Sequence, residues 1–207
     1  MKENRILWYV ADPMCSWCWG FSPVISAIRE KFGEELKISL LLGGLQPGTT
    51  VPMSADSRNE ILHHWHEVHE RTGQPFMFDG AMPEGFIYDT EPPSRAVLAL
   101  AEILPEQTFR FFTTLQEAFY AKQKDITRED ILVELLADYD IKPGAFRAVF
   151  ESDEIKLKTK AHFSRARQAG IRGFPTCVLQ DETNHQLLCS GYRSYEELQP
   201  EIETWLT

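Results

Sequence analysis

Apolar and polar positions follow two regimes along this chain. Residues 5–10 contain the run Ile6-Leu7-Trp8-Tyr9-Val10, which predicts a strand. Residues 36–42, with Leu36, Ile38, Leu40, Leu41 and Leu42, predict a second one covered on both faces. Between them, residues 15–32 have helical spacing, with Val24, Ile25, Ile28 and Phe32 on the buried face. A β-α-β unit of this length predicts a parallel pair joined by a right-handed crossover. Gly43-Gly44 and the Pro47-Gly48 turn end the second strand.

From 54 to 151 the pattern turns helical throughout, without strand alternation or internal repeat. Ser57 with Glu60 reads as a capping box before Ile61-Leu62. Pro92-Pro93 precede a helix reaching Leu104, and Pro105 opens another ending near Tyr120. Thr127 with Asp130 reads as the cap of a helix over 131–138, and a short helix follows Pro143. A long helix over 153–169 stops at Gly170. Residues 176–180 and 186–190 read as a β-hairpin. A turn centred on Thr183 would pair Gln180 with Gln186 and Cys177 with Cys189. Ser194 with Glu197 starts a last helix, with Pro200 inside or near its end. This order predicts an α/β fold, a four-stranded mixed sheet interrupted after its second strand. Residues 1–50 and 152–207 would form the sheet domain and 51–151 a helical insertion.

Composition narrows the function classes. With 207 residues the chain suits one domain carrying an insertion, and its formal charge of -10 argues against nucleic acid or an anionic membrane as partner. The basic residues are scattered except over 156–172, read as one helix's solvated face. No apolar run approaches membrane-spanning length. The first apolar run is too short for a signal-peptide core and no small-residue cleavage site follows, so a cytoplasmic location is expected.

Candidate chemistry concentrates in two short segments. Cys15-Ser16-Trp17-Cys18 lies where the first strand meets the first helix, so Cys15 sits at a helix N-terminus, where free N–H groups and the helix dipole favour a thiolate. A C-x-x-C pair in a reducing compartment is catalytic or metal-binding more often than a permanent staple. Zinc would need two further ligands at suitable spacing, and no second C-x-x-C exists, so redox chemistry is preferred and no metal is expected. The second segment is Gly173-Phe174-Pro175-Thr176-Cys177. A proline opening a strand cannot donate to the sheet, and a cis bond there would leave backbone groups free to pair with an extended peptide; a trans proline opening an edge strand is the alternative.

Together, Asp12-Pro13-Met14-Cys15-Ser16-Trp17-Cys18-Trp19-Gly20-Phe21, the helical block and Gly173-Phe174-Pro175-Thr176 resemble the DsbA-like thioredoxin-fold family, with the Cys-x-Trp-Cys form closest to its cytosolic FrnE-type branch. The resemblance implies a thioredoxin fold and thiol–disulfide exchange, without metal or bound cofactor, on protein or peptide thiols and disulfides. Glutathione or a thioredoxin-type protein would be the reductant. It implies Cys15 as attacking thiol, Cys18 as resolving thiol, Pro175 as the cis proline facing them, and substrate contacts at Trp17, Phe174, Pro175 and Thr176. Pro23 matches the proline that kinks the active-site helix of thioredoxins. Two features depart from the pattern. Tyr9 stands where thioredoxin-like enzymes often carry a buried acid, and no histidine lies between the cysteines. The rival functions are a glutathione-dependent transferase or small-molecule isomerase on the same fold, and a non-catalytic peptide- or metal-binding module.

Other segments are less specific. The segment His63-His64-Trp65-His66-Glu67-Val68-His69 invites a metal reading, but it lacks the H-E-x-x-H spacing and further ligands; with Ile61, Trp65 and Val68 as the buried stripe, most of its histidines lie on the polar side, where they would be proton carriers or substrate contacts. Phe76, Phe78, Phe86 and Tyr88 would line a cleft or pack the core. Phe109, Phe111, Phe112 and Phe119 read as core. Cys177 and Cys189 are expected to be buried thiols that behave as small hydrophobes.

Overall fold

The computed structural model describes residues 5–182 and 184–207; Thr183, on which the sequence reading centres the hairpin turn, lies outside them. Strands β1 (Arg5–Ala11), β2 (Lys37–Leu42), β3 (Thr176–Asp181) and β4 (Asn184–Ser190) form one sheet in the order β2-β1-β3-β4. β1 runs parallel to β2 and antiparallel to β3, and β3 runs antiparallel to β4. This is the mixed sheet of the thioredoxin fold. Helix α1 (Ser16–Phe32) makes the crossover between β1 and β2.

The two-residue period of β1 divides its side chains between two layers. Leu7, Tyr9 and Ala11 join the main core, whereas Val10 packs with Leu41 and Ala166 on the opposite side, next to Trp8. That second layer belongs to α7 (Asp153–Gln168), whose Arg165 guanidinium lies 4.4 Å from the centre of the Trp8 ring. β2 departs from the expectation of full burial. Only Leu41 and Leu42 are buried, while Ile38, Ser39 and Leu40 are half-exposed, because β2 is an edge strand covered toward its C-terminal end alone. There the Leu42 N–H donates to His162 Nδ1 at 3.3 Å. Burial pushes the His162 pKa down to about 4, which keeps the ring neutral and that nitrogen free to accept.

Between β2 and α7 lie α2 (Ala55–Thr72), α3 (Glu91–Ile103), α4 (Thr108–Tyr120), α5 (Glu129–Glu134) and α6 (Pro143–Phe150), with a single 3-10 turn, Pro105–Gln107, before α4. Two caps differ from expectation. Ser54, not Ser57, caps α2, its hydroxyl accepting the Ser57 N–H at 3.1 Å; both serines fit the spacing, but the chain turns helical one step earlier. α5 starts at Glu129 without a side-chain cap, and the Thr127 hydroxyl instead donates to Asp125 at 2.6 Å. The last helix, α8 (Tyr195–Leu206), has the expected capping box of Ser194 and Glu197, and Pro200 lies inside it.

An aromatic cluster joins α2 to the rest of the molecule. Trp65 is 1 % exposed and meets Phe76, Phe119 and Tyr120 at ring separations of 5.4, 5.6 and 5.0 Å. Helices α1 and α2 approach closely at Gly20, where a Cβ would stand 2.8 Å from Val68 Cγ1. Phe111, Phe112 and Phe119 are core residues as expected; Phe86 and Tyr88 are buried, and Phe76 and Phe78 are half-buried beside them.

The hairpin contains a register shift. Cys177 faces Cys189 as the sequence suggested, yet Gln180 faces His185, and Leu179 faces Gln186. A β-bulge between Cys177 and Val178 accounts for the difference by advancing β4 one residue past its partner.

Candidate active site

Cys15 is the N-cap of α1, in extended backbone, with its amide donating to the Asp12 carbonyl at 3.1 Å. No side chain caps the helix and no acidic residue lies in its first turn, so its first N–H groups are left without a side-chain partner from the helix itself. Cys15 is 7 % exposed and Cys18, one turn further in, is fully buried. Burial, with a hydrogen bond to Cys15, pushes the Cys18 thiol well above its ordinary pKa. All four cysteines are free thiols. A sulfur at a helix start, slightly exposed beneath a pocket, above a fully buried and protonated one is an arrangement suited to two-step exchange.

The chain's distant end completes this centre. The Phe174–Pro175 peptide bond is cis, and the Cys15 thiol donates to the Phe174 carbonyl at 3.5 Å. Thr176 is buried, its hydroxyl donating to the Gly173 carbonyl at 2.8 Å. Gly43 makes this closeness possible, since a Cβ there would lie 2.0 Å from the Phe174 ring. Trp17 is half-buried, with its ring 6.1 Å from that of Tyr192.

Asp12 carries no predicted role in the sequence reading, whereas Tyr88 and His64 are among its cleft-lining and substrate-contact candidates; all three stand in this neighbourhood. Asp12 is fully buried and is the only buried carboxylate among the described residues. Its oxygens accept the Met14 N–H at 2.9 Å and the Leu45 N–H at 2.7 Å. Burial raises its pKa to about 6, against the opposing effect of those bonds. Tyr88 donates to the Met14 carbonyl. His64 shares the pocket described below. The Tyr9 hydroxyl is buried against the Cys18 thiol, without a hydrogen bond of ordinary geometry among the described residues. The signal for Asp12 was its place two residues after the apolar run of β1, but burial could be read only after Leu45 and Thr90 had closed over it.

Asp12 yields a stability prediction. A carboxyl whose pKa is raised on folding binds an extra proton in the native state between the unfolded value of about 3.9 and about 6, so stability falls as pH rises through that window. Asp12→Asn removes this dependence. Between pH 4 and pH 7 its stability relative to the parent should improve by about 2 kcal/mol, measured by urea unfolding at both pH values. A difference that stays constant with pH would contradict the assignment.

A pocket of 280 Å³ opens over Cys15, walled by Trp17, Leu45, Gln46, Ile61, His64, Tyr88 and Phe174. Of the histidine segment only His64 lines it, its Nδ1 paired with Glu67 at 3.1 Å. His63 pairs with the same carboxylate at 3.5 Å, His66 stacks on Phe78 at 4.0 Å, and His69 Nδ1 lies 2.7 Å from the Gln74 carbonyl. A larger groove of 680 Å³ adjoins at Gly173, on the outer face of β3 and β4, and is lined by no cysteine.

Comparison with known proteins places this geometry in a family. The family model of the DSBA-like thioredoxin domain matches residues 7–203. A candidate protein disulfide isomerase from Nitrosomonas europaea superposes with a TM-score of 0.93 at 48% identity, over 99% of this chain and 98% of the other. The cytosolic disulfide reductase DsbM from Pseudomonas aeruginosa gives a TM-score of 0.79 at 28% identity, over 97% and 98%, and its structure with GSH gives 0.78 at 30% over the same shares. Among curated proteins, the ClpXP adapter protein SpxH of Halalkalibacterium halodurans is 28% identical over 171 residues, 81% of this chain but only 56% of the relative's length. The chain belongs to the DsbA-like thioredoxin family and carries its thiol–disulfide oxidoreductase fold.

Proposed function

We propose that this protein is a cytoplasmic thiol–disulfide oxidoreductase acting on protein or peptide thiols and disulfides, working mainly as a reductase or isomerase. The observation that carries the reading is the stacking of an accessible Cys15 at the start of α1 over a fully buried Cys18, below an open pocket. The likeness to DsbM, a cytosolic disulfide reductase, supports both location and direction. No helix among the described residues is long and apolar enough to cross a membrane.

In this reading the Cys15 thiolate attacks one sulfur of a substrate disulfide. A Cys15–substrate bond forms and the other substrate sulfur leaves as a thiolate. Cys18 then loses its proton and attacks Cys15 Sγ, so the Cys15–Cys18 disulfide forms and the reduced substrate departs. Asp12, the buried carboxylate two residues before Met14 and ionised at neutral pH with a pKa of about 6, is our candidate for the proton acceptor's role that Tyr9 does not fill. The substrate chain lies over Trp17 and beside Phe174, Pro175 and Thr176. Glutathione or a thioredoxin-type protein restores the dithiol, without a bound cofactor. The pocket volume of 280 Å³ and the DsbM structure with GSH support glutathione as the small thiol.

Reduction of a protein disulfide with glutathione as electron source tests the activity, and equilibration against defined glutathione ratios tests the direction. We expect turnover and a potential between about -120 mV and about -270 mV, nearer the second. The residues between the cysteines, Ser16 and Trp17, carry no positive charge, which favours a potential away from that of a strong oxidant. A value near about -120 mV would overturn the reductase direction. Binding of a polypeptide without any turnover would favour the second reading, an adapter, which rests on the likeness to SpxH.

A further inference from the structure

The hairpin holds a second pair of thiols that the exchange reaction does not use. Cys177 and Cys189 face each other across β3 and β4, immediately before the β-bulge, as directly paired residues of the hairpin. They also lie at the strand end that shapes the active site. Cys177 follows Pro175 by two residues, and the Pro175 carbonyl accepts the Gly191 N–H at 2.8 Å, two residues beyond Cys189.

We propose that Cys177 and Cys189 are a peroxide-sensitive dithiol that closes into a cross-strand disulfide and staples the hairpin carrying the cis-proline loop. The two sulfurs differ in their surroundings. Cys177 is fully buried, at the centre of the sheet beside Tyr9. Cys189 is 4 % exposed, and the Arg193 guanidinium reaches the neighbouring Leu188 carbonyl at 3.2 Å. Pairing with Cys177 and the Arg193 charge hold the Cys189 thiol below its ordinary pKa, while the same pairing holds Cys177 above it. Cys189, the more exposed of the two thiols and the one nearer the sheet's outer edge, is the attacking sulfur.

The reaction balances with hydrogen peroxide as the oxidant. Cys189 Sγ attacks one peroxide oxygen and the O–O bond breaks, giving a sulfenic acid and water. Cys177 Sγ then attacks the sulfenic sulfur, the S–S bond forms and the second oxygen leaves as water. Both thiols are oxidised and the peroxide is reduced. A disulfide between directly opposed residues of an antiparallel pair is strained, and strained disulfides are readily reduced, which makes this one reversible rather than structural. The staple would fix the start of β3, next to the loop whose Phe174 carbonyl meets Cys15.

The test uses the full chain with Cys15→Ser and Cys18→Ser, which leaves the hairpin intact and removes the first dithiol. Its outcome is thus independent of the exchange activity proposed above. After peroxide treatment and trypsin digestion, both cysteines fall in the single peptide 173–193, between Arg172 and Arg193. The expected result is conversion of that peptide to a form lacking two hydrogens, reversed by dithiothreitol. In Cys177→Ala on the same background, dimedone should label Cys189. The proposal is overturned if the peptide keeps both thiols under peroxide that fully oxidises Cys15 and Cys18 in the parent, if the bond forms between chains, or if dimedone leaves Cys189 unlabelled.

Discussion

Cys15→Ser should reduce disulfide turnover by roughly three orders of magnitude or more, to the uncatalysed background, without unfolding the protein. A hydroxyl is not ionised at neutral pH, and Cys18 cannot replace the lost thiolate. It is fully buried, and its pKa is pushed up by that burial. The complementary variant, Cys18→Ala, keeps the attacking sulfur and removes the resolving one, so the Cys15–substrate disulfide should accumulate and be visible by mass spectrometry. Alkylation of the reduced parent at mildly acidic pH should label Cys15 before Cys18, following exposure and the helix start. Residual turnover in Cys15→Ser, or first labelling at Cys18, would reverse the assignment.

Trp65→Ala should be the most destabilising of the single substitutions considered, by about 3–5 kcal/mol, a Tm decrease on the order of 10 °C for a chain of this size. Trp65 is 1 % exposed and packs on Phe76, Phe119 and Tyr120 from the middle of α2, so truncation leaves a cavity bordered by α4 and by the loop after α2. The same helix carries Ile61 and His64 into the wall of the Cys15 pocket, and loosening it should also weaken substrate binding. Trp65→Phe separates volume from polarity. The indole N–H has no hydrogen-bond partner among the described residues, so removing it relieves a buried unsatisfied donor and offsets part of the lost packing. We expect Trp65→Phe to cost under about 1.5 kcal/mol by thermal unfolding, and a cost equal to that of Trp65→Ala would contradict the packing account.

Features governed by spacing within a few residues were legible in the sequence. The apolar run of β1, the helical period of residues 15–32 and the Ser194–Glu197 capping box each depend on neighbours within about one helical turn or strand pleat. They place Cys15 at a helix start and Cys18 one turn inward. Even among such local signals, competing ones failed. Ser54 and Ser57 both satisfy a cap's requirements, and the chain between β2 and α2 selects the first.

What tertiary structure alone decided involves residues far apart along the chain. Asp12 looks like an ordinary polar residue ending a strand, and becomes a buried acid because Leu45 and Thr90 close over it. Phe174 reaches Cys15 because Gly43 lacks a side chain, a fit between residues 131 positions apart. The bulge after Cys177 kept the cysteine pair while shifting the rest of the register, since β3 must match β1 on its other edge. β2 reads as a fully covered strand, yet it lies at the sheet edge, half-exposed, because its cover depends on where α7 crosses. Local spacing determines which element a segment forms and which of its faces is apolar. Burial, register and the protonation of buried groups depend on what packs against that face, and that is set by the whole fold.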